Sequence, residues 1–590
     1  MQATATESTN SLTDLQAQGW SKVSFPARVQ ALAALAALPP VEPVASVSYV
    51  SKGRLLVLGG GQAGLAAARA LANDLDVHVL LPGIQPGADQ GFLRWVGVPT
   101  SVTGYLGAFK VTWPHGEYSQ AEPLPLAQAD DEVIVVAAKG QCSGTFDLIL
   151  DLQQEPAFTM AQPPQGYVRG NELARAGDAA ALEALRVQLG DMVGEFEKPK
   201  FFAYKSSICA RSRSQKQGCS QCIDICSTRA ISPDGDHVKV DPHLCMGCGA
   251  CATVCPSGAM TYQYPRLTDR GVMLRTLVKT FSAAGGANPA VLVHNALDGR
   301  DLLAALARNG SGLPENVLPL EAWHVASIGM DALLAAVAYG ARHVALLSAG
   351  SETAEYVNGL RREMRTAQTV LNALGYAGVH FSVIEASDAA ELAQKLSALP
   401  LGAVPAVPAT FALGNEKRTA IEFSIDHLLK HAPTPQTEVA LETGAAFGAL
   451  KINTSACTMC MACTGACPES ALMDSPEEPK LRFLERNCVQ CGLCVNTCPE
   501  NALSLVPRLL LTPDRRREVV LNQAEPFHCI RCDKVLGTKQ MIASMLSRLA
   551  GHSMFSGEGQ LKRLQMCADC RVVDMMENKN EMSIFGADKT

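Results

Sequence analysis

Three runs in this 590-residue chain read Cys-x2-Cys-x2-Cys-x3-Cys-Pro, and they constrain its fold more than any other feature. They are Cys245, Cys248, Cys251 and Cys255 before Pro256; Cys457, Cys460, Cys463 and Cys467 before Pro468; and Cys488, Cys491, Cys494 and Cys498 before Pro499. This is the ligand spacing of a bacterial-type cubane iron–sulfur cluster: three close thiolates wrap one cluster and the fourth reaches the neighbouring one. The proline then fixes φ and turns the chain away. Disulfides are the alternative use of so many cysteines. The start of the chain lacks a basic segment followed by an apolar core, so metal ligation in a reducing compartment is the expectation.

A fourth block is irregular: Cys209-x9-Cys219-x2-Cys222-x3-Cys226, with Ser227 in the proline position. It lies 19 positions before Cys245, much as Cys467 lies 21 before Cys488. Two blocks at that separation make one dicluster ferredoxin module, a pseudo-two-fold repeat. The crossed pattern assigns Cys209, Cys219, Cys222 and Cys255 to one cluster and Cys226, Cys245, Cys248 and Cys251 to its neighbour. In the second module it assigns Cys457, Cys460, Cys463 and Cys498 to one, and Cys467, Cys488, Cys491 and Cys494 to the other. The long loop of the irregular block carries Arg211, Arg213 and Lys216. It either adds positive charge near a cluster, raising its potential, or is a solvated insertion.

Two Cys-x2-Cys knuckles, Cys529/Cys532 and Cys567/Cys570, flank a 34-residue spacer with a helix-like stretch from Lys539 to Leu549. Such knuckles form a tetrahedral site of four sulfurs, with structural zinc foremost, rubredoxin-type iron using the same ligands, and an empty site as the third reading. Cys142, in a turn-like KGQCSGTF, reads as a thiol outside any metal site.

Toward the start, RLLVLGGGQAGLAAARAL sets Gly59, Gly61 and Gly64 as G-x-G-x-x-G between an apolar strand and an Ala-rich helix. Glycines in that context let a pyrophosphate approach a helix N-terminus. The next strand should end in an acid for the ribose, yet it ends near Leu81-Pro82. A later strand, FDLILDL, runs into Gln153-Gln154. A degenerate, cofactor-free Rossmann-like domain leads over one that binds FAD or NAD(P). Residues 256–456 hold no cysteine and alternate short apolar strands with amphipathic helices, an open parallel α/β sheet of about four strands. A long helix spans about Thr353 to Leu374, with Gly340 and Gly375 at helix C-caps. His294, His324 and His343 lie near strand ends and read as structural. A capped helix from Asn415 to His431 precedes a Pro/Thr linker.

The formal net charge of −7 disfavours nucleic acid, and no apolar run approaches the ~20 residues of a membrane helix. The expected location is the cytoplasm. No Ser/His/Asp or paired-carboxylate arrangement stands out, so no catalytic residue is assigned. An electron carrier or redox subunit is expected rather than a stand-alone enzyme.

The segments EFEKPKFFAYK, HLCMGCGACATVCPSGA, LRFLERNCVQCGLCVNTCPENAL, AEPFHCIRC and LKRLQMCADCRVVDM resemble a family of large bacterial multi-cluster ferredoxin-like proteins. Its members are typically encoded beside a formate dehydrogenase. The resemblance implies cytoplasmic electron transfer, or an accessory role, with a formate dehydrogenase-type partner, and the cysteine blocks make four [4Fe-4S] clusters the expected cofactors. The middle domain is similar to the delta subunit of methyl-viologen-reducing hydrogenase, without its cluster cysteines. The glycine fingerprint ahead of ferredoxin modules is similar to the flavin subunit of heterodisulfide reductase. The expected plan is an extension (1–50), a degenerate Rossmann-like domain (51–165), a helical linker (166–200), a first module (201–265), the α/β domain (270–432), a second module (440–507) and a zinc-ribbon-like tail with four cysteine ligands (520–590). An electron relay leads. A flavin-dependent oxidoreductase, with electrons entering at the N-terminal domain, and a maturation protein for formate dehydrogenase are the alternatives.

Overall fold

The strand Arg54–Gly59 is apolar through its interior, and Leu55, Leu56, Val57 and Leu58 are all buried. An unbroken apolar run suits the centre of a parallel sheet covered on both faces, and each leucine buried in full contributes roughly 1.5–3 kcal/mol. The computed structural model describes residues 25–83, 87–89, 91–114, 135–137, 141–170, 179–308, 312–350, 352–475, 478–552 and 558–577. In it, Arg54–Gly59 lies between Asp76–Leu81 and Leu148–Leu152, parallel to both. The sheet continues to Tyr167–Arg169 on one side. On the other it runs through Phe92–Val96 to the antiparallel edge Gly87–Asp89.

A four-stranded antiparallel sheet, in the order Ser101–Thr103, Phe109–Pro114, Gln141–Phe146 and Val135–Ala137, lies in sequence between Phe92–Val96 and Leu148–Leu152. Its Phe109, Trp113 and Phe146 pack with Leu56, Leu58 and Ile149. The helices Gly61–Leu71 and Ala179–Gly190 bury Leu65, Leu71, Leu185 and Leu189 with Leu55 and Val57. Cys142 is buried in the aromatic layer, and that burial pushes its thiol up.

Residues 166–200 hold more than a helix. Gly194–Pro199 pairs antiparallel with Ser46–Ser51, and both strands alternate exposed and more buried positions. That period of two marks a half-buried strand, and it is legible in GEFEKP once a partner is known.

The middle sheet has four parallel strands, in the order Val317–Ala322, Ala290–Asn295, His343–Ser348 and Phe381–Glu385. The helix Ala354–Ala373 starts after Thr353 and ends in a Schellman arrangement: Tyr376 N–H donates to Leu371 O, and Gly375, at φ 87°, donates to Asn372 O. His294 and His343 are buried within strands, and the His343 ring bridges Val379 O and Ser382 Oγ. His324 accepts from Ala326 N–H, and burial lowers its pKa to about 4. The helix Pro26–Ala36 also joins this core, through Ala31, Leu32 and Leu35, and Arg28 donates to Pro314 O at 2.7 Å. Past the helix Lys417–Lys430, the linker is partly a strand: Glu438–Ala440 pairs with the end of Leu503–Leu510. Among the described residues, no helix is long and apolar enough to cross a membrane.

The first cysteine-rich module packs on the long helix at Gly359, where an added Cβ would lie 2.8 Å from Ile225 Cδ1. Gly359→Leu overfills that contact and is expected to destabilise the full chain by about 1–3 kcal/mol. An anaerobic urea titration reads this as an earlier midpoint with an unchanged slope.

Candidate metal centres

Each regular run holds two left-handed residues, two and four positions after its first cysteine. They are Gly247 and Gly249, Met459 and Met461, and Gln490 and Gly492. Such residues turn peptide N–H groups toward one centre, an anion-binding concavity. In a methionine or glutamine that conformation costs roughly 1–2 kcal/mol, so the surrounding loop must enforce it. A second regularity covers all four blocks. The residue three positions after each last cysteine (Arg229, Gly258, Ser470 and Asn501) is also left-handed. The irregular block therefore turns as the others do, with Ser227 in place of proline. The next short turn brings main-chain N–H groups to sulfur: Met260 to Cys255 at 3.4 Å, Ala471 to Cys467 at 3.2 Å and Ala502 to Cys498 at 3.3 Å.

Cys222, Cys251, Cys463 and Cys494 sit on the one-turn helices Gln221–Asp224, Ala250–Val254, Ala462–Ala466 and Leu493–Thr497. The thiols then gather in four sets. Burial pushes the Cys222 thiol up to about 12, and Cys255, Cys219 and Cys209 add to the effect. Cys251 is raised by burial and by Cys248, Cys245, Cys226 and, least of these, Cys222. Burial raises Cys463 to about 12, with Cys457, Cys460 and Cys498 beside it. Cys494 is raised by burial and by Cys488, Cys491, Cys467 and Cys463. We call the sets site I (Cys226, Cys245, Cys248, Cys251), site II (Cys209, Cys219, Cys222, Cys255), site III (Cys467, Cys488, Cys491, Cys494) and site IV (Cys457, Cys460, Cys463, Cys498). Thiols crowded in this way resist ionisation alone. A metal centre that binds thiolates offsets that resistance, so the donor sets fit iron–sulfur clusters. In site IV the four cysteines line a cavity with Ile452, Leu481 and Leu503.

The two modules touch. Ala210, Val489 and Leu493 are buried together, with Cys219 and Cys491 packed against them. Burial pushes Cys491 up to about 12, with contributions from Cys467, Cys488 and, across the interface, Cys219. Asn496 Nδ2 donates to Gln217 O at 2.8 Å, and a Cβ on Gly218 would lie 2.7 Å from Leu493 Cγ. The loop with Arg211, Arg213 and Lys216 thus folds as a two-stranded hairpin, Ser212–Arg213 with Lys216–Gln217, and docks one module on the other. Neither sequence reading of that loop anticipated this. The signal was the glycine ahead of Cys219, which has meaning only against its partner.

The glycine-rich sheet domain meets site I. Lys198 Nζ donates to His243 O at 2.8 Å and Cys245 O at 2.7 Å, Tyr49 Oη donates to His243 O, and Tyr105 stacks on the His243 ring at 4.2 Å. From the middle domain, the Tyr356 hydroxyl bonds Ser227 and the Cys248 thiol.

Gly59, Gly60 and Gly61 are all left-handed, and a Cβ on Gly64 would lie 2.4 Å from Gly59 O. Packing accounts for much of this. A Cβ on Gly59 would lie 2.8 Å from Gln153 Cγ, and one on Gly60 would lie 2.8 Å from Leu152 Cδ1, while Gly61 faces open space. The segment after Leu148–Leu152 is tied down by the fully buried Asp151, which accepts from Gln153 N–H, Ala157 N–H, Tyr167 Oη and Arg169. Leu81, where a ribose-binding acid belongs, is buried.

The tail sulfurs of Cys529, Cys532, Cys567 and Cys570 lie within 4.8 Å of one another, with Cys532 and Cys567 at 3.6 Å. Tetrahedral ligation at about 2.3 Å separates sulfurs by about 3.8 Å, so a metal fits. Desolvation opposes ionisation of Cys529, but the N–H groups of Cys567, Arg531 and Cys532 draw its thiol down to about 6. The tail rests on site IV: Thr538 Oγ1 donates to Thr458 O at 3.0 Å, and Arg548 pairs with Glu500 at 2.7 Å.

A 4Fe-4S dicluster domain family matches residues 217–259, and a second family of that description matches residues 456–503. Cys209 falls outside the first match. The chain is similar to "Hydrogenase-4 component A" of Escherichia coli (strain K12), 42% identical over 40 residues, which is 7% of this chain and 20% of that protein. It is similar to "Ferredoxin 7Fe" of Hydrogenibacillus schlegelii, 34% identical over 44 residues, 8% of this chain and 56% of that one. It is also similar to "Ferredoxin" of Alicyclobacillus acidocaldarius subsp. acidocaldarius, 39% identical over 41 residues, 7% and 53%. The chain thus spans between a fifth and a little over half the length of the curated relatives it matches. It carries two 4Fe-4S dicluster modules within a mixed α/β protein that has parallel sheets.

Cys567→Ser is expected to release the tail's single metal ion while iron and acid-labile sulfide stay at the level of the unaltered protein. Elemental analysis of anaerobically purified protein checks this.

Proposed function

We propose that the chain is a cytoplasmic relay carrying four [4Fe-4S] clusters in the order site I, II, III, IV, and that it serves a formate dehydrogenase-type system as a carrier or redox subunit. The observation that carries the reading is the shared interface of Ala210, Val489 and Leu493, on which Cys219 of one module and Cys491 of the other both pack. With it, neighbouring sets are linked along the whole row: Cys251 with Cys222, Cys219 with Cys491, and Cys494 with Cys463. Clusters bound there would supply one-electron chemistry at potentials set by burial, hydrogen bonds to sulfur and nearby charge. The chain's own part is to hold the ligands, to exclude water with Leu493, Val489 and Ala210, and to donate N–H groups to sulfur. Gln490 Nε2, for example, donates to Cys488 Sγ at 3.3 Å. The formate dehydrogenase link is supported by the five resembling segments, and similarity to a hydrogenase component supports service to a larger redox enzyme.

The same reading assigns zinc to the tail and a degenerate Rossmann-like fold to residues 51–165. The parallel order around Arg54–Gly59 and the glycine turn support that fold. The reading keeps the expected domain plan, with residues 26–36 joined to the α/β unit and the paired strands 46–51 and 194–199 joined to the glycine-rich domain. A second reading, a flavin-dependent oxidoreductase, is favoured by one observation: the glycine-rich domain contacts the ligand loop of site I through Tyr49, Tyr105 and Lys198.

Iron, sulfide, zinc and flavin per chain, measured on protein purified without oxygen, test both. The relay reading expects about sixteen irons, about sixteen sulfides, one zinc and no flavin. About eight irons contradict it, and one flavin per chain puts the oxidoreductase ahead.

A further inference from the structure

Three buried or half-buried cations from outside the two ferredoxin modules each donate to the main-chain carbonyl of a ligand cysteine. Lys198 Nζ reaches Cys245 O of site I at 2.7 Å. Lys417 Nζ reaches Cys255 O of site II at 3.1 Å, and Arg418 reaches Cys488 O of site III at 3.4 Å. Lys417 and Arg418 are consecutive, the first two residues of the helix Lys417–Lys430, so one helix end addresses both modules at their junction.

We propose that these cations grade the row of clusters, holding sites I, II and III at higher potential than site IV and making site IV the port that exchanges electrons with the partner protein. This deepens the relay reading and rests on it.

The ammonium of Lys417 has three protons, and each meets a carbonyl of the first module: Ala252, Thr253 and Cys255. Those partners are carbonyls rather than carboxylates, so the positive charge is not neutralised by direct pairing. Glu363 faces Lys417 from the long helix, and burial favours its neutral acid form. Gly258 allows the approach, since even its absent Cβ position lies 3.2 Å from Lys417 Cβ. The Arg418 guanidinium donates to Ala446, Arg486 and Cys488 carbonyls and lies over the Phe447 ring, 4.7 Å from its centroid. The acids that face it are Glu422, already paired with Arg516, and Glu469. The helix N-terminus adds its own partial positive charge at the same place.

A fixed positive charge beside an anionic centre favours its reduced, more negative form and so raises its potential. None of the described hydrogen bonds brings a cation to a ligand carbonyl of site IV. Glu500, two residues after Cys498, pairs with Arg548 and sets an acid close to this site in sequence. Site IV has an exposed ligand, Cys460, although its Cys463 is buried like Cys209 and Cys255 of site II and Cys488 and Cys494 of site III. The exposed ligand gives a partner protein access to this end of the row.

The test is an EPR-monitored redox titration of the full-length, cluster-loaded protein with iron counted on the same samples. Lys417→Met and Arg418→Met are each expected to lower the midpoint of one cluster, favouring its oxidised form about tenfold, a shift of about 59 mV for one electron. Lys417→Arg and Arg418→Lys keep the wild-type midpoints. Should Lys417→Met load less iron, Ala445→Asp decides, because it sets a carboxylate in the cavity that Lys417 lines and is expected to lower the same midpoint. Midpoints that stay in place at full iron content in Lys417→Met, Arg418→Met and Ala445→Asp overturn the proposal. A wild-type iron content below that of four clusters counts against the relay reading instead, a failure read from a different quantity.

Discussion

A thiolate buried beside other thiolates is unstable unless something positive is close, and most of this molecule can be derived from that requirement. The four donor sets bring together groups whose burial and mutual proximity resist ionisation. Left-handed residues such as Met459 and Met461 turn N–H groups inward at a local cost. Buried cations approach the ligand backbone from outside the modules. The α/β domain is therefore more than a spacer: it sends Tyr356 to site I and Lys417 and Arg418 to the junction of sites II and III.

Contact between the modules follows from the same economy of surface. Leu493 and Val489 would be exposed on an isolated second module. Against Ala210 and Gly218 they are buried, and the hairpin of the irregular block supplies the matching face. The irregular spacing Cys209-x9-Cys219 thus makes room for a docking element, at the position where a regular run would have had only a tight ligand loop.

What could be read in the chain beforehand was whatever is local. The Cys-x2-Cys-x2-Cys-x3-Cys spacing, the helix ending at Gly375 and the stretch Lys539–Leu549 each depend on residues within a few turns of one another, and the spacing carries that information. The features that escaped are carried by single side chains over long separations. Asn496 meets Gln217 across 279 positions, Lys417 meets Cys255 across 162, and Ser46–Ser51 finds Gly194–Pro199 as a strand partner. No periodicity encodes such a meeting. The glycine fingerprint was ambiguous for a related reason: the same φ > 0 turn serves a pyrophosphate or close packing, and Leu152 and Gln153 supply the packing at Gly60 and Gly59.

The central claim is that the two modules form one continuous row. Anomalous scattering at the iron and zinc edges, from crystals grown without oxygen, tests it most directly. The account predicts four compact iron peaks in unbroken succession, sites II and III adjacent, with a zinc peak beside site IV. Two separate pairs of iron peaks, with protein lacking metal contact between them, would contradict it.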